Sequence, residues 1–370
     1  MSQLLPNDVL AEILSYLPAK AFFKLLPVCK TLYQLSSDSH FLLSQSYHNK
    51  AISGFFVDSC SIVKLFIPLD PNAGVPRSNI EFLRKREAII LGSAGGLVFF
   101  LQRKDRFDNT LHLWVCNPAR GTRCQLPSPP GRCSYGGIAV RFMKNKDGVR
   151  TDYKLVYLTR NMSLLQHCRV YDSVAKAWIM DKEINLGGRP KLDLEHPVVC
   201  DDTVFWATLE LWSYTRTKSC IVAFDVRDGC TQNIPMPEDA VVNLDDTIRI
   251  AKWEGKSLCL IHYTTFACLF VLWVMKKTND GAPEWVKVQE IRLAGLGFRE
   301  PRYVSFVMLS EIMSTTLLVF NIDKVLCSYN INDGEVKKLS SLRYYYSPRL
   351  FPYSNTLQPC GEQEELLKAI

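Results

Sequence analysis

Apolar residues near the start of the chain recur at the spacing of short α-helices. Four of them lie three or four positions apart and would share one side of a first helix: Leu10, Ile13, Leu14 and Leu17. Pro18 predicts the end of that helix, because the residue before a proline is disfavoured in the helical conformation. Asp38 is positioned to cap a last helix. The pattern predicts three or four helices in residues 1–45, a segment that we call the head.

The head carries more large apolar side chains than so small a bundle can bury internally. Part of its apolar surface must therefore contact the next domain or another protein. A helical cap that packs entirely on its own chain is the alternative.

The pattern changes after about residue 52, where runs of four to eight β-branched and aromatic residues alternate with turn residues. Five residue pairs favour tight hairpin turns: Asp147-Gly148, Gly187-Gly188, Asp228-Gly229, Asp280-Gly281 and Asp333-Gly334. Long helical periodicity is absent. We therefore predict an all-β domain of antiparallel strands over residues 50–355, followed by a C-terminal tail over residues 356–370.

A weak repeat runs through this β domain. In each copy an apolar strand ends in Asn or Asp, and a turn and a second strand follow; the residues are Asn117, Asp172, Asp225 and Asn330. The steps between them are 55, 53 and 105 residues, and a further copy with its turn at 279–281 fills the long step. A period near 50 is typical of a β-propeller blade. The domain length then predicts about six blades, with the ring closed by strands near residues 55–69 and 344–351.

Composition describes an ordinary folded chain, with 47% hydrophobic and 22% charged residues. The net charge of +7 comes from short clusters beside turns, which favour solvated loops over a nucleic-acid interface. No apolar run is long enough for a membrane span. Thirteen cysteines without a regular framework, and no signal-peptide pattern, predict reduced thiols and a cytoplasmic or nuclear location.

Motifs for catalysis or for metal and cofactor binding are missing from the sequence. No nucleophile elbow, phosphate-binding loop or metal-ligand spacing occurs. The acidic pairs Asp201-Asp202 and Asp245-Asp246 lie next to predicted strands, where they fit turns better than a catalytic dyad. We predict neither a cofactor nor a metal site.

The head resembles the F-box. The matching positions are Leu5-Pro6, Val9-Leu10, Ile13-Leu14, Leu17-Pro18, Val28-Cys29-Lys30, Leu35 and Asp38 with His40-Phe41. This resemblance implies docking onto a Skp-family adaptor and, through it, onto a cullin-based ubiquitin ligase. It assigns the adaptor contacts to Leu5, Pro6, Val9, Leu10, Ile13, Leu14, Leu17, Pro18, Val28, Cys29 and Leu32. Leu32 stands where the family usually has Trp, an interface anchor, so we expect weaker adaptor binding.

The β domain is similar to plant F-box-associated domains. Two stretches carry the resemblance: Ser93-Ala94-Gly95-Gly96-Leu97, and Asn117-Pro118 followed by Leu126-Pro127. Together the two resemblances imply a non-catalytic substrate-recognition subunit whose propeller binds a client protein. Two aromatic groups in irregular segments are candidate client contacts, with packing within or between blades as the alternative: Trp212, Tyr214, Tyr344 and Tyr345.

Two other functional classes stay open. A propeller enzyme, either a hydrolase or an oxidase with the head as a cap, would need His, Tyr or carboxylate groups converging on the central channel. A basic nucleic-acid-binding module would need a denser positive surface.

Overall fold

The computed structural model describes residues 5–49, 51–58, 64–69, 74–85, 88–103, 110–131, 135–143, 152–159, 165–185, 192–208, 219–240, 246–277, 283–298, 304–312, 315–342, 349–361 and 364–366. Four helices form the head: α1 (Asn7–Ser15), α2 (Ala19–Leu25), α3 (Lys30–Leu35) and α4 (Ser39–His48). Asp38 caps α4 as predicted, because its Oδ1 accepts a hydrogen bond from the backbone N–H of Phe41 at 2.7 Å. Each helix is too short to be stable alone, so packing has to hold the bundle together.

The described strands form six sheets arranged as a six-bladed β-propeller, which confirms the predicted fold class. Blade 1 contains β3 (Ile89–Ala94), β4 (Leu97–Arg103), β5 (Leu111–Asn117) and β6 (Thr122–Gln125). Blade 2 contains β7 (Gly136–Phe142), β8 (Tyr153–Thr159), β9 (Leu165–Asp172) and β10 (Ala177–Asn185). Blade 3 contains β11 (Val198–Cys200), β12 (Thr203–Ala207), β13 (Cys220–Asp225) and β14 (Thr231–Pro235).

Blades 4 and 5 follow the same antiparallel order. Blade 4 contains β15 (Thr247–Trp253), β16 (Ser257–Thr264), β17 (Leu269–Lys277) and β18 (Pro283–Arg292). Blade 5 contains β19 (Val304–Ile312), β20 (Thr315–Ile322), β21 (Val325–Asn330) and β22 (Val336–Ser341). The first strand of each of blades 1 to 5 is innermost, and these strands run side by side around a central channel, with β23 of the sixth blade next to β3.

Blade 6 closes the ring with strands from both ends of the chain. It contains β1 (Gly54–Asp58), β2 (Lys64–Pro68) and β23 (Arg349–Tyr353), and Phe56 of β1 pairs with Phe351 of β23. The predicted pairing of an early strand with one near residues 344–351 is therefore confirmed. Closure of this kind covers sheet edges that would otherwise remain open for association with other chains.

The repeated Asn and Asp residues share one structural role. At the turn after the third strand, the side-chain Oδ1 of each accepts a hydrogen bond from the backbone N–H two residues later, at 2.8 to 3.0 Å. The residues are Asn117, Asp172, Asp225 and Asn330. The turn predicted at residues 279–281 lies outside the described residues.

Two short helices inside the β domain were not predicted. These are α5 (Arg77–Lys85) and a 3-10 helix at Leu293–Leu296. Ile80 and Leu83 of α5 are buried against blade 1 and the head. With two apolar anchors in nine residues, α5 leaves too short a periodic pattern to be recognised from the sequence.

The described part of the predicted C-terminal tail is integrated into the protein. Residues 354–360 are mostly buried, and the side-chain amide of Asn117 donates hydrogen bonds to the carbonyl oxygens of Thr356 and Gln358 at 2.9 and 2.8 Å. The short strand β24 (Glu365–Leu366) then pairs with β6 at the outer edge of blade 1. Several backbone groups of residues 355–358 bond to side chains and not to a neighbouring strand, so these residues do not need the alternating pattern of a strand.

Candidate functional site

The head packs on the propeller through part of its apolar surface. Phe22, Phe41 and Leu42 of the head share one buried cluster with Phe56, Trp114 and Tyr353 of blades 1 and 6. The rings of Phe22 and Phe41 lie 4.7 Å apart at the centre of the head. The head is thus not a separate bundle on a linker, because its core continues into that of the propeller.

One buried side chain links the head to the C-terminal segment. The Nε2 of Gln45 on α4 donates to the carbonyl oxygen of Leu17 at 2.8 Å, and its Oε1 accepts from the backbone N–H of Leu357 at 2.7 Å. Nearby, the backbone N–H of Ala19 donates to the carbonyl oxygen of Asn355 at 3.3 Å. Gln45 is fully buried, so displacing the head would break its bond to Leu357 and leave buried polar groups without partners.

The rest of the head surface leaves apolar side chains in solvent. Ile13 is 54% exposed and Val28 is 70% exposed. Leu5 and Val9 are exposed as well. Val9 and Ile13 are four residues apart and therefore lie on one side of α1, and Leu5 lies just before the helix begins. Exposed apolar residues grouped on one helix face mark a surface for another protein.

The eleven predicted adaptor contacts divide into three groups by burial. Six are exposed: Leu5, Pro6, Val9, Ile13, Val28 and Cys29. Three are half-buried: Leu10, Leu17 and Pro18. Leu14 and Leu32 are buried in the core shared with the propeller. Those two stabilise the head from within, and a partner would not reach them in this conformation.

The innermost strands finish at one end of the channel, which we call the head end. At this end a groove lies between part of α4 and the propeller. The groove has a volume of about 940 Å³. Leu43 and Tyr47 of α4 form one wall, and the turns after β3, β11 and β15 form the other. The Arg141 guanidinium on this wall is paired with Asp202 and donates to the carbonyl oxygen of Asp201 at 3.0 Å.

The opposite end of the channel, which we call the far end, carries a network of charged side chains. Arg349 of blade 6 pairs with Asp58 and donates to the hydroxyl of Tyr135 before blade 2. The Tyr135 hydroxyl in turn donates to Glu195 before blade 3 at 3.2 Å. Polar groups do converge on the channel here, and they are bonded to one another.

A second charged pair joins blades 3 and 4 at the far end. The carboxylate of Asp193 lies 3.0 Å from Nδ1 of His196 and 3.5 Å from Nε of Arg249. Burial alone would raise the pKa of Asp193, but the charges of His196 and Arg249 hold it well below its usual value. The carboxylate therefore stays ionised and serves as a link between blades.

No group of three or more His, Cys, Asp or Glu side chains suited to a metal ion occurs among the residues that the structure describes. Within the same part of the chain, every helix is too short or too polar to cross a membrane.

The four predicted client contacts lie outside the described residues: Trp212, Tyr214, Tyr344 and Tyr345. The described strands show at which end of the channel the connections that contain these four residues start and finish. The connection from Thr208 to Cys220 and the one from Leu342 to Arg349 both leave and re-enter the propeller at the far end.

Several exposed aromatic residues were missed by the sequence analysis, and Phe266 is the most exposed of them among the described residues. Phe266, in the turn between β16 and β17 at the far end, is 94% exposed. It follows one apolar strand and precedes another, so its sequence context is that of a core residue. The signal that could have found it is the Thr264-Thr265 pair, which interrupts the apolar run.

Comparison with known proteins identifies both parts of the chain. The family described as the F-box domain matches residues 3–44, and the family described as the F-box associated beta propeller domain matches residues 85–358. F-box protein At5g49610 of Arabidopsis thaliana is 29% identical over 195 residues, which cover 47% of this chain and 50% of that protein. The chain thus spans half the length of this relative.

A second relative and a solved structure align over larger shares of the chain. Putative F-box protein At4g38870 of Arabidopsis thaliana is 22% identical over 303 residues, covering 77% of this chain and 68% of that protein. The β-propeller domain of the Trilobed protease from Pyrococcus furiosus aligns over 83% of each chain, with 12% identity and a TM-score of 0.39. A likeness at that level carries no argument about activity.

Proposed function

Because the chain belongs to the F-box proteins with an F-box associated beta propeller domain, we propose that it is the substrate-recognition subunit of a Skp–cullin–F-box ubiquitin ligase. The head docks on a Skp-family adaptor, and the propeller binds a client protein. The chain itself makes or breaks no bond. It holds the client near the ubiquitin-conjugating enzyme, which raises the effective concentration of the client lysines.

The observation that carries this proposal is the set of apolar side chains that the head leaves in solvent. Burying a large aliphatic side chain is worth roughly 1.5–3 kcal/mol. Leu5, Val9, Ile13 and Val28 together provide enough apolar area to hold a complex after the cost of association is met. The position of the head supports the proposal further, because its packing on the propeller leaves these four residues uncovered.

The test replaces the two most informative exposed residues. Ile13→Asp combined with Val28→Asp places two charges on the proposed interface while leaving the buried core of the head intact. We expect adaptor affinity, measured by calorimetry with a purified Skp-family adaptor, to fall roughly a hundredfold or more. The thermal midpoint of the free protein should change little, since both residues are exposed.

A matched control adds the same two charges elsewhere. Val174→Asp combined with Val336→Asp alters two exposed valines on the propeller and should leave adaptor affinity unchanged. If the Ile13 and Val28 variant binds the adaptor as tightly as this control, the proposed docking surface is wrong.

A chemical footprint provides an independent check on the same surface. The Cys29 thiol is exposed on the head and the Cys230 thiol is exposed on the propeller. We expect adaptor binding to slow alkylation of Cys29 by iodoacetamide and to leave the rate at Cys230 unchanged. Equal rates at Cys29 with and without adaptor would place the contact elsewhere.

We also propose that the protein works in the cytoplasm or the nucleus. No disulfide joins any of the eleven cysteines in the described part of the chain, which suits a reducing compartment.

A further inference from the structure

Two connections at the far end of blade 4 form an exposed apolar patch. The first is the β16–β17 turn, residues 265–268, and the second is the segment after β18, residues 293–298. Phe266 is its most exposed side chain, with a relative exposure of 94%. Neither segment contains a charged residue, and Ala267, Ala294 and the two glycines of these segments are exposed as well. We call these ten residues the far-end patch.

The backbone that presents Phe266 is held by buried groups. The backbone N–H of Thr265 donates to Oδ1 of Asp246 at 3.0 Å, and Oδ2 of the same carboxylate lies 3.1 Å from Nε2 of His262. The side chains of Asp246 and His262 are almost fully buried. A buried polar pair that fixes one surface turn restricts the positions that Phe266 can take.

The two segments of the patch are also bonded to each other. The backbone N–H of Leu293 donates to the carbonyl oxygen of Cys268 at 2.9 Å, and that of Phe298 donates to the carbonyl oxygen of Leu293 at 3.1 Å. These bonds reduce the backbone freedom that would be lost when a partner binds. Such preorganisation lowers the entropic cost of association.

An exposed phenylalanine on a hydrogen-bonded backbone is suited to anchor an interface. Its side chain offers about 150–250 Å² of apolar area for burial, and aromatic anchors provide much of the binding energy at protein interfaces. A partner that buries this ring needs an apolar pocket without charged groups, because an unpaired charge would be desolvated there without compensation.

The size of the far-end patch argues against a second copy of this chain. Stable interfaces use roughly 20–30 residues on each side, and the patch has ten. A patch of this size is suited to a transient contact. A receptor that releases its client after modification requires a contact of that kind. It also lies at the end of the propeller away from the head, so one chain can engage both partners at once.

We infer that the far-end patch, with Phe266 as its anchor, binds the client protein through an uncharged apolar pocket on the client. This rests on the proposed function in one respect: the bound protein is a ubiquitination client.

The experiment uses the full chain, expressed in plant cells with a photoreactive phenylalanine analogue at position 266. A second form carries the analogue at Val174, another exposed apolar position, which lies at the head end. Proteins crosslinked from 266 and not from 174 are candidate clients. Their ubiquitination is then measured with the wild-type chain, with Phe266→Ser and with Val174→Ser.

We expect ubiquitination of the crosslinked proteins to fall roughly tenfold or more with Phe266→Ser and to stay at the wild-type level with Val174→Ser. Equal ubiquitination with all three forms overturns the inference. Crosslinking from 266 to another copy of the chain, with a dimeric molar mass that Phe266→Ser reduces to that of a monomer, overturns it as well. So does the absence of any crosslink specific to position 266.

Failure of the proposed function gives a different result. If the Ile13 and Val28 variant still binds the adaptor, the ligase role is wrong whatever position 266 contacts. If adaptor binding behaves as expected and Phe266→Ser leaves ubiquitination unchanged, the ligase role stands and the far-end patch is not the client site.

Discussion

Asn117 shows how one side chain can serve both a repeated turn and the fold as a whole. Its Oδ1 accepts from the backbone N–H of Ala119 at 2.9 Å, as in the equivalent turns of other blades. Its Nδ2 also donates to Thr356 and Gln358 of the C-terminal segment. Asn330 makes the same turn contact in blade 5, at 3.0 Å to the backbone N–H of Asn332, and this hydrogen bond is exposed to solvent.

The two asparagines should therefore respond differently to the same substitution. Asn117→Ala leaves buried backbone groups without partners and should lower the free energy of unfolding by about 2–4 kcal/mol. Asn330→Ala loses a solvent-exposed turn contact and should cost about 0.5–1.5 kcal/mol. Urea unfolding monitored by tryptophan fluorescence measures both. Equal losses would mean that the bonds of Asn117 to the C-terminal segment do not contribute to stability.

At this scale, residue type and spacing predicted the turn role of Asn117 but not its second set of bonds. Those bonds join positions more than 200 residues apart, and a single sequence holds no record of such pairings. The head shows the same limit. Ile13 and Leu14 are adjacent and similar in type, yet one is exposed and the other buried. The direction in which the propeller approaches the head decides between them.

Neighbouring blades are joined by a repeated contact between their outer strands. Trp178 on β10 donates its indole N–H to the carbonyl oxygen of Pro127, which follows β6, at 2.9 Å. Trp285 on β18 donates in the same way to the carbonyl oxygen of Pro235 on β14, also at 2.9 Å. The two pairs span 51 and 50 residues, close to the repeat length of the blades.

Replacing these tryptophans should weaken the contacts between blades. Trp178→Phe and Trp285→Phe should each lower the free energy of unfolding by about 0.5–1.5 kcal/mol through the lost hydrogen bond. Because the pairs join different blades, their effects should add in the double variant to within about 0.5 kcal/mol. The measurement is the urea midpoint of each single variant and of the double variant.

A third tryptophan provides the control. Trp253 is half-buried like the other two, and its indole N–H bonds to no described residue. Trp253→Phe removes similar ring area without a hydrogen bond. If it lowers the urea midpoint as much as Trp178→Phe does, the loss comes from ring packing and not from the contact with Pro127.

The elements of the propeller were the most predictable part of the chain. Alternating apolar runs and turn residues predicted the strands of blades 1 to 5, because each blade repeats the same local requirements. Helix α5 and the integration of residues 356–361 were missed, since both depend on surfaces that appear once the blades are packed. Phe266 was missed for a related reason: its exposure depends on where one strand ends.

At the scale of the whole molecule, closure of the ring and placement of the head depend on the same region. Blade 6 takes β1 from just after the head and β23 from just before the C-terminal segment, and that segment contacts Gln45 of the head. The head is thereby fixed relative to the propeller. In the proposed ligase, the far-end patch would keep a set direction with respect to the adaptor, which limits where client lysines can be presented.

At the far end of the ring, an ion pair should contribute to the free energy of unfolding by an amount that depends on pH. Asp193, which precedes β11, contacts Arg249 of β15 and His196, and its Oδ1 accepts from the backbone N–H of Glu195 at 3.2 Å. These partners lower its pKa in the folded protein despite burial. A lowered pKa means that the ionised carboxylate stabilises the fold above the unfolded-state value of about 3.9. This stabilisation declines as the pH falls below that value toward the folded-state pKa.

Asp193→Asn should therefore be destabilising at neutral pH and progressively less so in acid. At pH 7 we expect it to lower the free energy of unfolding by roughly 1.5–3 kcal/mol, since it removes a charge paired with Arg249. Between pH 4 and pH 2.5 the difference from wild type should shrink, because the wild-type chain then gains a proton on unfolding. Urea unfolding at a series of pH values measures the difference, with the exposed Asp239→Asn as a control expected to stay within about 0.5 kcal/mol throughout. A difference for Asp193→Asn that stays constant from pH 7 to pH 2.5 would show that the carboxylate acts through its shape and not through its charge.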